Sequence, residues 1–227
     1  IHGFARVVVA CTEERQRAWS LLLKGSAIRG EILLFQANPL GAIGLSQYQG
    51  RDTLVVSRGS LSVTNRAKKR ALDLVVTVPA LILLAPLFLI VAIAIKIESQ
   101  GPIFFRQQRI GRSNQLFNIL KFRSMRAEDC DAEGNRSTER DDDRITRVGA
   151  FIRRTSIDEL PQLINVLRGD MSLVGPRPHA LGSLAGNKLF WEIDEQYWVR
   201  HALKPGITGL AQISGYRGST LLREDLE

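Results

Sequence analysis

Apolar residues fall into three regimes along the chain, and each predicts a different kind of structure. Up to about residue 62 they come in short runs. Arg6 to Ala10 is rich in β-branched residues, and Glu13 to Leu23 carries helical spacing. The runs Glu31 to Phe35 and Thr53 to Val56 are bounded by Gly, Asn, Pro or Ser. This alternation predicts strand–helix–strand packing, part of an α/β unit. The segment has no glycine-rich phosphate loop of the GxGxxG or GxxxxGK type. A structural piece of a larger domain is therefore the expectation for residues 1–62.

The second regime is a single uncharged run, Leu74 to Ile95. As a helix it is long enough to reach across a bilayer core of roughly 30 Å. Pro79 and Pro86 interrupt its register, each removing an amide donor and crowding the preceding turn. Arg66, Lys68, Lys69 and Arg70 precede the run, and Lys96, Arg106, Arg109 and Arg112 follow it. A simple span should carry basic excess on one flank only. A helix that enters the membrane, bends near Pro86 and returns to the same face satisfies both flanks. A spanning helix and a buried core helix are the alternatives.

Beyond Gly101 the pattern becomes that of a water-facing domain, and the stretch Arg126 to Arg147 is charged and poor in apolar residues. Its Asp141-Asp142-Asp143 run invites a metal reading. Three consecutive carboxylates point in different directions on a regular backbone, so a solvated loop is expected. Further on, Pro161 is tolerated only in the first turn of a helix. This predicts a helix from near Asp158, with Leu160, Leu163, Ile164 and Leu167 as its apolar stripe and Gly169 just past its end.

Charge sharpens this picture. The 227 residues carry 31 Lys and Arg against 23 Asp and Glu, a formal net charge of +8. An anionic partner follows: nucleic acid, acidic lipid or a phosphorylated substrate. The basic cluster borders the apolar run, where attraction to anionic lipid is the simpler account, so nucleic acid is not expected. Cys11 and Cys130 show neither metal spacing nor a disulfide framework, and a reducing compartment is the default. The chain opens at Ile1 without the basic start and cleavage site of a signal peptide. It ends at Glu227 soon after a glycine-containing turn, so a fragment incomplete at its C-terminus is expected.

The candidate chemistry lies in the last third. Asp158 and Glu159 are adjacent carboxylates beside Arg153 and Arg154. Capping of the following helix by Asp158, with Glu159 complementing its dipole, would account for both acids. The functional alternative is a nucleophilic carboxylate next to a metal-binding one, with the arginines on phosphate oxygens. A carboxylate can attack phosphorus, and Mg²⁺ commonly bridges one or two carboxylates to substrate phosphates. Pro176 and Pro178 fix the backbone around Arg177, which suits bidentate phosphate recognition. Lys121-Phe122-Arg123 alternates basic and aromatic residues, as an edge strand or a phosphate-facing strand would. Lys204 stands on a stiff Pro-Gly turn.

From Lys69 onward these motifs, in this order, resemble the bacterial sugar transferases, the monotopic phosphoglycosyl transferases acting on undecaprenyl phosphate. The residues that carry the likeness are Lys69-Arg70-Ala71-Leu72-Asp73, Gln108-Arg109-Ile110-Gly111 and Lys121-Phe122-Arg123-Ser124-Met125. Asp158-Glu159-Leu160-Pro161-Gln162, Gly175-Pro176-Arg177-Pro178 and Lys204-Pro205-Gly206-Ile207-Thr208-Gly209 complete the series. The resemblance implies an α+β membrane-associated fold. In it, a partial Rossmann-like domain (1–62) precedes a basic segment with a re-entrant helix (63–98) and a mainly helical cytoplasmic catalytic domain (99–227). The family breaks its membrane helix at a Ser-Pro pair; here Ala85-Pro86 keeps the proline.

The resemblance also implies roles. Asp158 would be the nucleophile that attacks the β-phosphate of a UDP-sugar and releases UMP, and Glu159, with Asp158, would hold Mg²⁺. Lys121, Arg153, Arg154, Arg177 and Lys204 would bind substrate phosphates. Pro178-His179-Ala180 and His201 to Gly206 resemble hexose-1-phosphate transferases of exopolysaccharide pathways, with glucose first and galactose second. The implied partners are a UDP-sugar, undecaprenyl phosphate and inner-membrane lipid, with room for a homo-oligomer. The implied place is the bacterial inner membrane, catalytic domain on the cytoplasmic face. A polytopic transferase would need many apolar segments where this chain offers one. A non-catalytic scaffold or nucleotide-sugar sensor on the same fold is the alternative function.

Overall fold

A computed structural model describes residues 6–33, 42–130, 142–185, 188–193 and 197–214. Phe35, Asp141 and the stretch after Ser214 lie outside the described residues.

The N-terminal unit runs β1 (Arg6–Val9), α1 (Glu13–Gly25), β2 (Arg29–Leu33), β3 (Gly44–Tyr48) and β4 (Arg51–Arg58). β1 and β2 are parallel around α1, as the sequence alternation predicts, and the sheet order is β1-β2-β4-β3. β4 then pairs antiparallel with both β2 and β3. Among the described residues the sheet is therefore mixed, unlike the parallel sheet of a Rossmann unit. Leu23, Ile32 and Val56 form its core. Glu31, 0% exposed, is held by Arg6, Arg29 and the Thr53 hydroxyl, which is how a carboxylate survives inside a sheet. α1 packs against the short 3-10 helix Tyr197–Ala202, and a side chain at Gly25 would collide with the Trp198 carbonyl.

α2 spans Val63–Glu98 without interruption, about 54 Å at the α-helical rise. Among the described residues it is the one helix long and apolar enough to cross a membrane. Ser62 caps its start, its hydroxyl accepting from the Asn65 amide. The expected break at Pro86 is not an interruption: both prolines lie inside the hydrogen-bonded helix. One proline removes one donor, a loss that a helix absorbs by bending while its other bonds persist. One face of α2 buries Asp73, Thr77, Val91 and Ile95, while Val75, Ile82, Leu83, Ile90 and Ile97 are exposed.

The remaining chain mixes strand and helix, so the expectation of a mainly helical domain is corrected. β5 (Phe104–Ile110) and β6 (Leu116–Phe122) pair antiparallel, and this places Lys121 on a strand as its alternation predicts. α3 (Arg147–Arg154) and α4 (Gln162–Arg168) follow, joined by a turn that includes a single 3-10 turn at Ile157–Glu159. β7 (Ser172–Val174) leads to a small hairpin of β8 (Leu184–Ala185) and β9 (Lys188–Leu189), then α5 (Phe190–Ile193). β10 (Gly206–Thr208) pairs parallel with β7, and α6 (Leu210–Ile213) comes last. Phe122 joins the halves. It stacks on Phe104, meets Phe88 of α2 edge-on and packs with Val91, Ile95 and Ile152.

α4 differs from its predicted form. It begins after Pro161, its buried residues are Gln162, Leu163, Asn165 and Val166, and Leu167 is exposed. The reason is what it faces. The two-stranded β5–β6 sheet offers backbone groups along β6, and Asn165, 0% exposed, meets them. Its Oδ1 accepts from the Leu120 amide at 2.9 Å, and its Nδ2 donates to the Asn118 carbonyl at 2.8 Å. An apolar residue there would leave those groups unpaired. Gly169 closes the helix in the left-handed region (φ 92), as expected of a glycine there.

Both ends of α2 are fastened to this domain. Near its start, Asp73 is 3% exposed and accepts hydrogen bonds from the Ser172 hydroxyl and the Leu173 amide. Lys69 donates to Ser172 and to the Val174 carbonyl, and Arg70 donates to the Val166 and Leu167 carbonyls that end α4. At the other end, Glu98 accepts from the Arg147 and Val148 amides that begin α3. Arg123, 2% exposed, donates to the Ser99 and Gln100 carbonyls.

Removing the Asp73 carboxylate strands two buried donors, at about 1–3 kcal/mol each. D73A should therefore lower the melting temperature in detergent by about 4–8 °C, a loss of about 2 kcal/mol in a chain of this size. D73N keeps an acceptor and should recover most of it. Equal melting of D73A and the parent chain would remove this contact from the account.

Candidate functional site

The two adjacent acids sit on the turn between α3 and α4. Ser156, just before them, takes the left-handed conformation (φ 58), which turns the chain sharply before Asp158. Asp158 is thus three residues ahead of Pro161, the cap of α4, and is not the cap that the sequence suggests. Capping does not account for it.

Lys121 reaches across from β6, and its Nζ lies 2.6 Å from Glu159 Oε1. Arg109, Gln162 and Arg177 line the same narrow cleft with Lys121 and Glu159, and Pro178, Gly206 and Ile207 close it. Arg153 reaches the Ser124 hydroxyl at 3.5 Å, and its charge acts on Asp158.

The surroundings separate the two carboxyls. Burial pushes Asp158 above the usual carboxylate range, and the charges of Lys121 and Arg153 only partly offset it. Burial acts on Glu159 too, but the charge and hydrogen bond of Lys121, then Arg177 and Arg109, outweigh it and hold Glu159 below its ordinary value. The two neighbouring acids are thus pushed in opposite directions, as expected where their roles are divided.

The cations are mounted rigidly. Arg109 donates to the Pro178 carbonyl at 3.2 Å and to the Gln107 side chain. Burial, then the nearby Arg177, brings Arg109 down to about 10. Arg200 donates to the Arg177 carbonyl at 3.0 Å and lies 3.2 Å from His179 Nδ1. His179 packs edge-on against Phe190 and stacks with Tyr197, and His201 is bound to Asn114. Burial and Arg200 push His201 down to about 4, so this layer supports the Pro-Arg-Pro turn from beneath as neutral rings.

The structure therefore brings Asp158, Glu159, Lys121, Arg153 and Arg177 together. It does not bring in two of the expected cations. Arg154 points outward and is exposed, and Lys204 lines a separate cavity at the start of α2. Arg109, Gln162 and Arg200 are the additions. Arg109 had a signal, because it lies two positions after Gln107 on the inward side of β5.

The donor set bears on a metal. Among the described residues no group of three His, Cys, Asp or Glu comes together, so an all-protein cage is not available. Asp142 is held by Arg144, its carboxylate buried where the sequence predicts a solvated loop, and Asp143 is exposed. Two adjacent carboxylates beside a cationic cleft suit an ion such as Mg²⁺, which shares its coordination with substrate phosphates and water.

Comparison with known proteins places the chain in a family. The bacterial sugar transferase family matches residues 64–227. An undecaprenyl-phosphate glucose phosphotransferase of Komagataeibacter xylinus is 54% identical over 172 residues, 76% of this chain and 32% of that protein. An exopolysaccharide production protein, PSS, of Rhizobium leguminosarum bv. phaseoli is 52% identical over 152 residues, covering 67% of this chain and 76% of that protein. The UDP-glucose:undecaprenyl-phosphate glucose-1-phosphate transferase of Escherichia coli K12 is 48% identical over 183 residues, 81% of this chain and 39% of that protein. The chain thus spans about a third of the length of the first and third of these relatives. With the family match covering well over half of the residues, including the whole of the described cleft, the chain belongs to the bacterial sugar transferase family.

Proposed function

We propose that the chain is the catalytic part of a transferase that moves glucose 1-phosphate from UDP-glucose to undecaprenyl phosphate. The observation that carries this reading is a cationic cleft lined by Arg109, Lys121, Arg177 and Glu159, with Asp158 next to it in the chain and under the charges of Lys121 and Arg153. Glucose is favoured over galactose by the names of the relatives, two of which state a glucose or glucose-1-phosphate transfer to undecaprenyl phosphate.

In the first step an Asp158 oxygen attacks the β-phosphorus of UDP-glucose. The bond from that phosphorus to the bridging oxygen breaks, and UMP leaves with that oxygen. A glucose phosphate ester of Asp158 remains. In the second step a phosphate oxygen of undecaprenyl phosphate attacks the same phosphorus and Asp158 is released. Covalent catalysis of this kind divides one difficult displacement into two. Lys121, Arg153, Arg177 and Arg109 hold the phosphate oxygens, their charges fixed in place before reaction. Glu159 and Asp158 would hold Mg²⁺, which when bound neutralises charge on the transferring and leaving phosphates.

The attachment of both ends of α2 to one body supports a re-entrant arrangement. A helix crossing the bilayer would carry its ends to opposite sides, yet Arg70 and Glu98 fasten to neighbouring helices. Basic residues at both flanks fit the cytoplasmic face of the bacterial inner membrane.

The chain in nanodiscs, given labelled UDP-glucose, Mg²⁺ and undecaprenyl phosphate, should release UMP and move label into lipid. EDTA and D158N should abolish both. R177A should slow UMP release by roughly 10²-fold, the usual cost of losing one preorganised charge donor. A folded chain that releases no UMP from any UDP-hexose would favour a scaffold or sensor.

Asp158 must be ionised to attack, so the rate should fall as pH drops through its raised value. The acidic limb of single-turnover UMP release should lie above the range of an ordinary aspartate. K121M removes the cation that lowers both acids and should move that limb to higher pH. An unmoved limb would mean that neither carboxyl governs the profile.

A further inference from the structure

A second basic cavity, of about 300 Å³, lies at the N-terminal end of α2 and is lined by Arg66, Arg70, Arg112 and Lys204. Lys69 and Asp73 also face it, but both are committed, Lys69 to Ser172 and Val174 and Asp73 to Ser172 and Leu173. Arg70 is engaged with the end of α4. The side chains of Arg66, Arg112 and Lys204 have no hydrogen-bond or ion-pair partner among the described residues.

These cations are close enough to disfavour one another. Burial, then the charges of Arg70 and Arg112, lowers Lys204, and burial followed by Arg66 lowers Arg112. Lys204 stands on a fixed mount, because β10 is paired with β7 and a side chain at Gly175 would strike the Lys204 carbonyl. A Cβ at Gly169 would lie 3.4 Å from Lys204 Nζ and 3.7 Å from an Arg70 guanidinium nitrogen, so these two cations flank the same bare stretch of backbone. Asp73 and Asp170 act on Lys204 and offset the repulsion only in part, and four cations still converge on one concavity, Arg112 and Lys204 half-buried and Arg66 exposed at its rim, as anion binding requires. Phosphate, with several acceptor oxygens, fits guanidinium and ammonium donors together. The place is informative as well. Asp73 directly precedes the apolar run, so the cavity sits where the helix would pass from water into lipid, at the level of phosphate headgroups.

We propose that this cavity is a second phosphate-binding site, separate from the Asp158–Glu159 cleft, with Arg66, Arg112 and Lys204 as its ligands. Its phosphate is a mono- or diester group carried on a membrane lipid or on a water-soluble molecule. Neither Arg66 nor Arg112 lines the cleft, so the site stands or falls independently of the reaction proposed for Asp158.

The test uses the whole chain, delipidated in neutral detergent, with two probes. Melting temperature is followed against inorganic phosphate, and native mass spectrometry counts phosphatidylglycerol retained in competition with phosphatidylcholine. The parent chain should respond to at least one probe. R66Q/R112Q should weaken that response by roughly tenfold to thirtyfold, the effect of removing two cations near a phosphate. R66K/R112K should retain it, and so should R177A, whose change lies in the cleft. Without ligand, R66Q/R112Q should melt no lower than the parent, since it relieves repulsion.

Retention of phosphatidylglycerol without a phosphate shift assigns the site to lipid. A phosphate shift, with or without retention, assigns it to the phosphate group itself. An equal response from the parent and R66Q/R112Q, a response lost only in R177A, or no response to either probe would overturn the proposal.

Discussion

The arrangement of the site depends on how one long helix is tied down at its two ends. Arg70 completes the carbonyl end of α4, and Glu98 completes the amide end of α3. A cation at a helix C-terminus and an anion at an N-terminus are each favourable, and each satisfies backbone groups that would otherwise lack partners. Asp158 and Glu159 lie on the turn joining the other ends of those two helices. The dyad is thus suspended between two helices, each anchored at its far end to α2.

The second constraint is electrostatic. Adjacent carboxylates repel, and burial penalises both, so the pair would protonate without compensation. Compensation is unequal: Lys121 bonds Glu159 directly and acts on Asp158 only through space. Arg109, which lines the cleft, is held at the Pro178 carbonyl, and Arg200 braces the turn from outside the cleft at the Arg177 carbonyl. Guanidinium groups anchored to rigid Pro-rich backbone lose little freedom when a phosphate arrives.

Much of this was legible in the sequence, and the parts that were not have a common cause. The apolar run, the strand at Lys121, the turn residue Gly169 and the βαβ start each follow from local pattern or a single residue's geometry. β3 was not visible, because Gly44–Tyr48 is largely exposed and alternates no apolar residues inward. The buried face of α4 differs because it meets strand backbone at Asn165 and the cleft at Gln162, so these polar residues are buried in place of Ile164 and Leu167. Asp73 gave no local hint of burial, since its partner Ser172 is 99 residues away. Lys204 sits on the stiff turn that its neighbours predict, yet β7–β10 pairing directs it to a different cavity from the one its chemistry suggested. Long-range pairing decided each of these, and spacing along the chain does not encode it.

The central claim is that Asp158 carries the sugar phosphate. Its most direct test is to mix the chain with UDP-glucose and Mg²⁺ without lipid acceptor, quench in mild acid, and map the modified peptide by mass spectrometry. The account predicts a hexose phosphate on Asp158, absent in D158N and removed by adding undecaprenyl phosphate. An adduct on another residue, or lipid labelling by a chain that never acquires one on Asp158, would contradict it.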